Sequence, residues 1–335
     1  MRDRARAALC ALLCLLPLFA GLAAATRVQA AAAAVSRAEC VLEVTSRRIL
    51  HSRNAETPLP VASTTKIVTA VIIIEDCDLS APVVIPKQAE GVEGSSAYLR
   101  AGDTYTAEEL LYGLMLRSGN DCAEALALFH SGSIQAFARV MNERAAKLGA
   151  RDSHFVNPHG LPDKRHKTSA RDLALIAAHA LENETFRTIV STKYYAPRNW
   201  QNKNKMLDRY EGATGVKTGF TLDAGRCLVT SAEREGMRLV SVVLNSPQMY
   251  ERTEELLDAA FASYDMEELC RPGDTFGGAE VRCGFCYPLR REEREKIRTE
   301  WTLLSPLPVR KGEFAGQMRI FLENDLLFSQ NLYIV

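Results

Sequence analysis

The sequence predicts a mixed α/β (α+β) protein in two units, and three observations predict it. Strand-like runs at Cys40–His51 and Arg226–Leu244 bracket a middle stretch with helical periodicity. After Cys270 the pattern changes to short apolar runs punctuated by Pro and Gly, with no helix of useful length. The 335 residues also exceed one typical domain of about 150 residues. A content of 47% hydrophobic and 24% charged residues excludes disordered, collagenous and multi-span membrane chains.

The chain opens on Arg2, Arg4 and Arg6, runs apolar from Ala7 to Ala25 with Pro17 and Gly21 as breaks, and closes on Val28-Gln29-Ala30. A basic start, an apolar middle and small residues before a cut are the layout of a secretory signal over residues 1–30. Cleavage is expected after Ala30 or within Ala31–Ala34. The apolar run is also just long enough to span a bilayer as an uncleaved anchor. Both readings export the rest of the chain. Overall, 41 Lys and Arg balance 41 Asp and Glu, but this segment holds four arginines against Asp3, so the remainder carries −3. No basic excess is left for nucleic acid. Cys10 and Cys14 lie in the signal, and the other seven cysteines are too scattered for a disulfide scaffold, reading mostly as small buried apolar residues. Cys283-Gly-Phe-Cys286 has redox or half-zinc spacing, yet no second pair or His-x-x-x-His follows, so neither a metal nor another cofactor is expected.

Along the mature chain, Cys40–Val44 and Arg48–His51 read as a hairpin turned at Thr45-Ser46-Arg47. Ile67–Ile74 is apolar throughout, and periodicity leaves central strand and buried helix equally open. Thr106-Ala-Glu-Glu109 is a capping box for a helix to about Arg117. Asn120–His130 and Ser133–Lys147 are further helices, the second stopped by Gly149. A loop spans His154–Thr168, and Ser169-Ala-Arg-Asp172 caps a helix to about Leu181. Arg226–Ser231 and Met237–Leu244 read as strands turned at Glu235-Gly236, followed by a helix over Arg252–Tyr264. Beyond a boundary near Glu267–Arg271, strands are expected at Val281–Tyr287, Ile297–Leu304, Leu307–Val309 and Gln317–Phe328. The expected organisation is a catalytic unit over residues 35–266 and a small β unit over 270–335.

A serine hydroxyl is a weak nucleophile until a base takes its proton, and a desolvated lysine with a cationic neighbour can be neutral enough to do so. Ser63 and Lys66, three apart, share a face if their segment is helical. The pair gains meaning from an ordered set: Ser63-Thr-Thr-Lys66 before an apolar run, Ser118-Gly-Asn120 between two helices, and Lys217-Thr-Gly219 before a strand. With Pro60-Val-Ala ahead of Ser63, Gly94–Leu99, Leu116–Asp121, Asn157–Leu161 and Gly215–Gly219, the chain from Cys40 to Tyr264 resembles the low-molecular-weight penicillin-binding proteins, the serine-type D-alanyl-D-alanine carboxypeptidases of peptidase family S11.

The resemblance implies a β-lactamase/transpeptidase-like domain, an antiparallel sheet flanked by helices with an all-helical subdomain, and a helix after Ser63. It implies Ser63 as nucleophile, Lys66 as its proton acceptor, and Ser118 and Asn120 completing the network around Lys66. It implies Lys217, Thr218 and Gly219 on the far wall, backbone N–H groups of Ser63 and Phe220 as oxyanion hole, and Arg252 in the carboxylate network. The implied substrate is a peptidoglycan stem ending in D-Ala-D-Ala, with β-lactams as acylating inhibitors, in the cell envelope. A D,D-endopeptidase cutting cross-links uses the same residues, and a penicilloyl- or wall-binding module without turnover is the non-enzymatic alternative. No E-x-x-L-N glutamate for β-lactam deacylation is present. His159 is read as bracing its loop, His154 and His166 as solvated, and Tyr98 as lining the cleft or as a buried structural tyrosine.

Overall fold

The computed structural model describes residues 36–335, so the expected signal over residues 1–30 lies outside the described residues. The first unit is built on one sheet. Strands β1 (Ala38–Glu43), β2 (Ile49–Arg53), β3 (Ala213–Thr221), β4 (Gly225–Arg234) and β5 (Met237–Leu244) run antiparallel in the order β2-β1-β5-β4-β3. The β4–β5 hairpin turns on Glu235 and Gly236, both at positive φ (50° and 79°), as a two-residue turn matched to strand twist requires.

Both faces of this sheet are covered, and strand alternation decides which residue meets which layer. Cys40, Leu42, Val229, Val240 and Val242 join the larger core, which is shared with the helices α1 (Lys66–Asp76), α2 (Ala107–Leu116), α3 (Asn120–Ser131), α4 (Ile134–Lys147), α5 (Ala170–Ala180) and α6 (Glu184–Ser191). The residues between them, Val41, Leu228, Leu239 and Val243, pack on the other face against α7 (Met249–Ser263). Strand or helix for Ile67–Ile74 is decided for helix. Every residue from Lys66 to Ile73 is buried, because α1 is ringed by other helices and has no polar face to impose a period.

Capping sets the helix starts. Thr106 Oγ1 accepts from Glu109 N (3.1 Å) while Glu109 Oε2 accepts from Thr106 N (3.0 Å), and Ser169 Oγ accepts from Asp172 N. Helix α6 has no counterpart in the sequence reading, although Asn183 caps it and Phe186, Ile189 and Val190 form its buried stripe.

After α7, β6 (Asp265–Cys270) pairs with β9 (Phe285–Leu289), so the expected boundary falls inside a strand. Strands β7 (Thr275–Phe276), β8 (Ala279–Val281), β10 (Ile297–Leu303), β11 (Phe314–Leu322) and β12 (Asp325–Ile334) form a second sheet, ordered β7-β8-β12-β11-β10, with a core of its own around Val281, Met318, Ile320 and Leu332. The expected strand at Leu307–Val309 is absent: Pro306 and Pro308 lack the N–H groups a ladder needs, and the segment is an exposed connection. The expected Gln317–Phe328 strand is two strands, turned at Glu323 with φ 54°. Arg48 joins the two sheets' units, pairing with Glu293 and lying over the rings of Tyr264 and Tyr287.

Helix α7 is pinned by charge. Glu39 on β1 is fully buried, and the Arg252 guanidinium grips it through Nε–Oε1 (2.8 Å) and Nη2–Oε2 (2.9 Å), with His51 Nε2 at 2.9 Å. Burial opposes ionisation of Glu39, but the hydrogen bonds from Arg252 and His51 outweigh it and hold the carboxyl well below the usual range. A lowered carboxylate stabilises the fold above its ordinary value of 4.5 and loses that contribution as pH falls below it. Arg252→Ala leaves the carboxylate short of its main partner and is expected to destabilise the chain by about 3 kcal/mol at neutral pH, read from urea unfolding. The loss should shrink at acid pH and be largely reversed when Glu39→Gln is added.

Candidate active site

The site is assembled on the turn that starts α1. Ala62–Thr65 forms a 3-10 turn leading into the helix at Lys66, with Ala62 at φ 49° and Thr64 Oγ1 donating to Val61 O (2.8 Å). Ser63 is the partly exposed residue of this turn, at a helix N-terminus whose dipole favours developing negative charge. Two glycines let other segments close on it. A Cβ on Gly219 of β3 would lie 2.9 Å from Val61 O and 3.2 Å from Ser63 N. One on Gly160, at φ 85°, would lie 1.9 Å from Ala62 O.

Lys66 has no solvent exposure. Its Nζ donates to Asn120 Oδ1 (2.6 Å) and to the His159 backbone carbonyl (2.9 Å), and stands 3.0 Å from Ser63 Oγ. The first two partners are carbonyl oxygens and can only accept, whereas a hydroxyl can donate. Burial, and then the neighbouring charge of Lys217, push the Lys66 pKa well below the ordinary lysine value. A neutral amine placed this way spends two N–H groups on the carbonyls and turns its lone pair toward the Ser63 proton.

Asn120 begins α3. Its Nδ2 donates to Glu93 O (2.5 Å) and its N–H to Ser95 O (2.7 Å), which orients Oδ1 toward Lys66. The next residue, the buried Asp121, organises the Gly94–Leu99 loop by accepting from Ser96 Oγ (2.6 Å), Ala97 N (3.0 Å) and Leu99 N (3.1 Å). Tyr98 in that loop is 81% exposed, which removes the buried alternative.

Lys217, Thr218, Gly219 and Phe220 are themselves part of the edge strand β3, and they precede β4, the strand expected after them. The Lys217 side chain is buried and donates to Thr218 O (3.0 Å); burial, then the charge of Lys203, lower its pKa to about 7. Lys203 has no motif around it to mark it in the sequence; its Nζ reaches Ser95 Oγ (3.2 Å). Ser63, Asn120, His159, Leu161 and Phe220 line one cavity of about 450 Å³, and a second of about 650 Å³ adjoins it along Gly160–Pro162 and Thr221.

Two expected residues sit differently. Ser118 is buried at the α2–α3 junction with φ 62°, and the hydrogen-bond contacts of Lys66 Nζ are to Ser63, Asn120 and the His159 carbonyl, not to the Ser118 hydroxyl. Arg252 is committed to Glu39, so the carboxylate it holds in this structure is the protein's own. His159 is buried and braced as expected, its Nδ1 accepting from Leu161 N (3.1 Å). His166 corrects the sequence reading. It is buried beneath the Ser63 turn, with Nε2 at 2.8 Å from Thr65 Oγ1 and Nδ1 accepting from Val156 N, and burial lowers its pKa to about 4.

A buried lysine thus stands beside a serine at a helix start, faced across a cleft by a Lys-Thr-Gly edge strand. The family model described as D-alanyl-D-alanine carboxypeptidase matches residues 24–248. The chain belongs to that family. It is 33% identical over 264 residues to D-alanyl-D-alanine carboxypeptidase DacF of Bacillus subtilis, covering 74% of this chain and 68% of that protein. It is 37% identical over 230 residues to the D-alanyl-D-alanine carboxypeptidase of Streptomyces sp. K15, covering 62% and 79%. Penicillin binding protein 5 from Haemophilus influenzae superimposes with a TM-score of 0.74 at 26% identity, over 89% of this chain and 96% of that one. The fold is that of the penicillin-binding transpeptidase-like proteins, and the chain is a serine-type D-alanyl-D-alanine carboxypeptidase.

The Lys217 value sets a direction for ligand binding. Lys217 is a cation below about pH 7 and neutral above it, so a ligand with a terminal carboxylate is expected to bind more weakly as pH rises through 7. With Ser63→Ala, which cannot be acylated, its Kd should rise by about tenfold between roughly pH 6 and 9. Adding Lys217→Arg should leave Kd flat over that range, because guanidinium stays charged. Calorimetric titration checks both.

Proposed function

We propose that this enzyme removes the terminal D-alanine from peptidoglycan stem peptides through an acyl-enzyme on Ser63. The observation that carries the reading is the solvent-free Lys66, aimed at Ser63 Oγ from 3.0 Å with its other hydrogen bonds fixed on two carbonyl oxygens. Lys66 takes the Ser63 proton as Oγ attacks the carbonyl of the penultimate D-alanine. The backbone N–H groups of Ser63 and Phe220 receive the oxyanion, which the close approach allowed by Gly219 supports. Lys217 and Thr218 meet the substrate carboxylate and Asn120 positions the peptide. The C–N bond then breaks, the departing D-alanine amine takes a proton, and water hydrolyses the ester to leave a tetrapeptide.

The outer edge of β3 supports this reading, since among the described residues β3 pairs with β4 alone, which leaves its other edge for an extended peptide. A β-lactam presents a comparable carbonyl whose leaving group stays tethered, and with no deacylating glutamate the penicilloyl ester on Ser63 persists. Residues 35–266 are the catalytic unit in this reading and 270–335 an accompanying β unit. The signal-like residues 1–30 put the enzyme outside the cytoplasm, in the cell envelope, with membrane attachment if the segment is retained. No helix among the described residues is long and apolar enough to cross a bilayer.

Residues 35–335 incubated with a pentapeptide ending in D-Ala-D-Ala should release free D-alanine, and Ser63→Ala should reduce that release by at least about a thousandfold. Release by the variant at the wild-type rate would exclude Ser63 as nucleophile. Cleavage of a cross-linked dimer with an untouched pentapeptide would assign the endopeptidase activity instead.

A further inference from the structure

The third partner of Lys66, the His159 carbonyl, belongs to a tight turn. Asn157 Oδ1 accepts from Gly160 N (2.7 Å), Asn157 Nδ2 donates to Leu161 O (3.0 Å), and Thr69 Oγ1 of α1 donates to Pro158 O (2.7 Å). The His159 ring completes the turn by accepting from Leu161 N at Nδ1. A neutral ring that accepts at Nδ1 carries its one proton on Nε2, and the ring is 6% exposed, so that N–H needs a protein acceptor. The carboxylate beside Nε2 is that of Glu124, whose Oε1 stands 3.4 Å from the ring nitrogen, at ion-pair distance and longer than a full hydrogen bond.

Glu124 lies on α3 four residues after Asn120, one turn along the same face. Helix α3 therefore reaches Lys66 twice: directly through Asn120 Oδ1, and through Glu124, the His159 ring and the His159 carbonyl. The other charged or titratable neighbours of the ring are Lys66 and His166; neither accepts a proton from Nε2 here, since His166 is engaged with Thr65 and Val156.

We propose that Glu124 is a positioning residue for acylation: its carboxylate selects the Nε2–H form of His159, which locks the 157–161 turn and holds the carbonyl that orients Lys66 toward Ser63. Without that acceptor, the ring proton is free to move to Nδ1, where it confronts the Leu161 N–H, and the turn loses its internal bond. The proposal rests on Lys66 as the proton acceptor of Ser63.

The test uses the full chain, a fluorescent penicillin as acylating probe, and nitrogen-15 NMR of the histidine rings. Glu124→Leu should acylate about tenfold more slowly than wild type with little change in noncovalent affinity, as a misplaced base predicts. Glu124→Gln, which keeps an acceptor oxygen, should stay within about twofold of wild type. The His159 signal should report an Nε2 proton in wild type and Glu124→Gln, and a shift toward Nδ1 in Glu124→Leu. Acylation of Glu124→Leu at the wild-type rate, an Nδ1 proton in wild type, or an unmoved signal in Glu124→Leu would each overturn the role of Glu124 alone. A wild-type chain that takes up no penicillin would overturn the Ser63–Lys66 reading together with it.

Discussion

Burying a lysine amine removes several kcal/mol of hydration, and the fold must return that in hydrogen bonds or let the amine lose its charge. At Lys66 it does both. The amine is met by Ser63 from its own helix start, by Asn120 from α3 and by the His159 carbonyl from the 157–161 turn, so three separate segments converge because one nitrogen has to be satisfied. The same burial, helped by the nearby Lys217 charge, lowers the amine's basicity, as the proposed role of Lys66 as a base requires. Structural demand and chemical function are one arrangement.

Close backbone approach is the second requirement. Gly160 and Gly219 touch the turn that carries Ser63, and neither has room for a methyl group. The strand with Lys217, Thr218 and Phe220 reaches Ser63 because β3 is an edge strand pressed against the start of α1 through Gly219. On the far side of the sheet, the Arg252–Glu39 pair ties α7 to β1 and steadies the platform from which the cleft is built.

Local signals in the sequence are reliable where the physics is local. The Thr106–Glu109 capping box, the Ser169 cap and the Glu235-Gly236 hairpin all form as read, since each depends on residues within a few positions. Local reading fails where packing decides. Ile67–Ile74, which local pattern leaves open between strand and helix, is helical because it is enclosed by other helices. His166 looks like a loop histidine in sequence but is buried under Thr65, 101 residues away.

By itself the sequence determined the chemistry available: a serine three residues before a lysine, an asparagine at a helix start, and a Lys-Thr-Gly motif before a strand, in an order that marks the family. Tertiary structure decided which of those groups meet. It brought Asn120 and the His159 carbonyl onto Lys66, left the Ser118 hydroxyl out of that network, and engaged Arg252 with Glu39. It also brought Glu124, which lies in no motif, to His159. Residue types set what a side chain can donate or accept, but partners far apart in the chain are chosen by the common need to satisfy buried polar groups, and that is settled only when the segments pack.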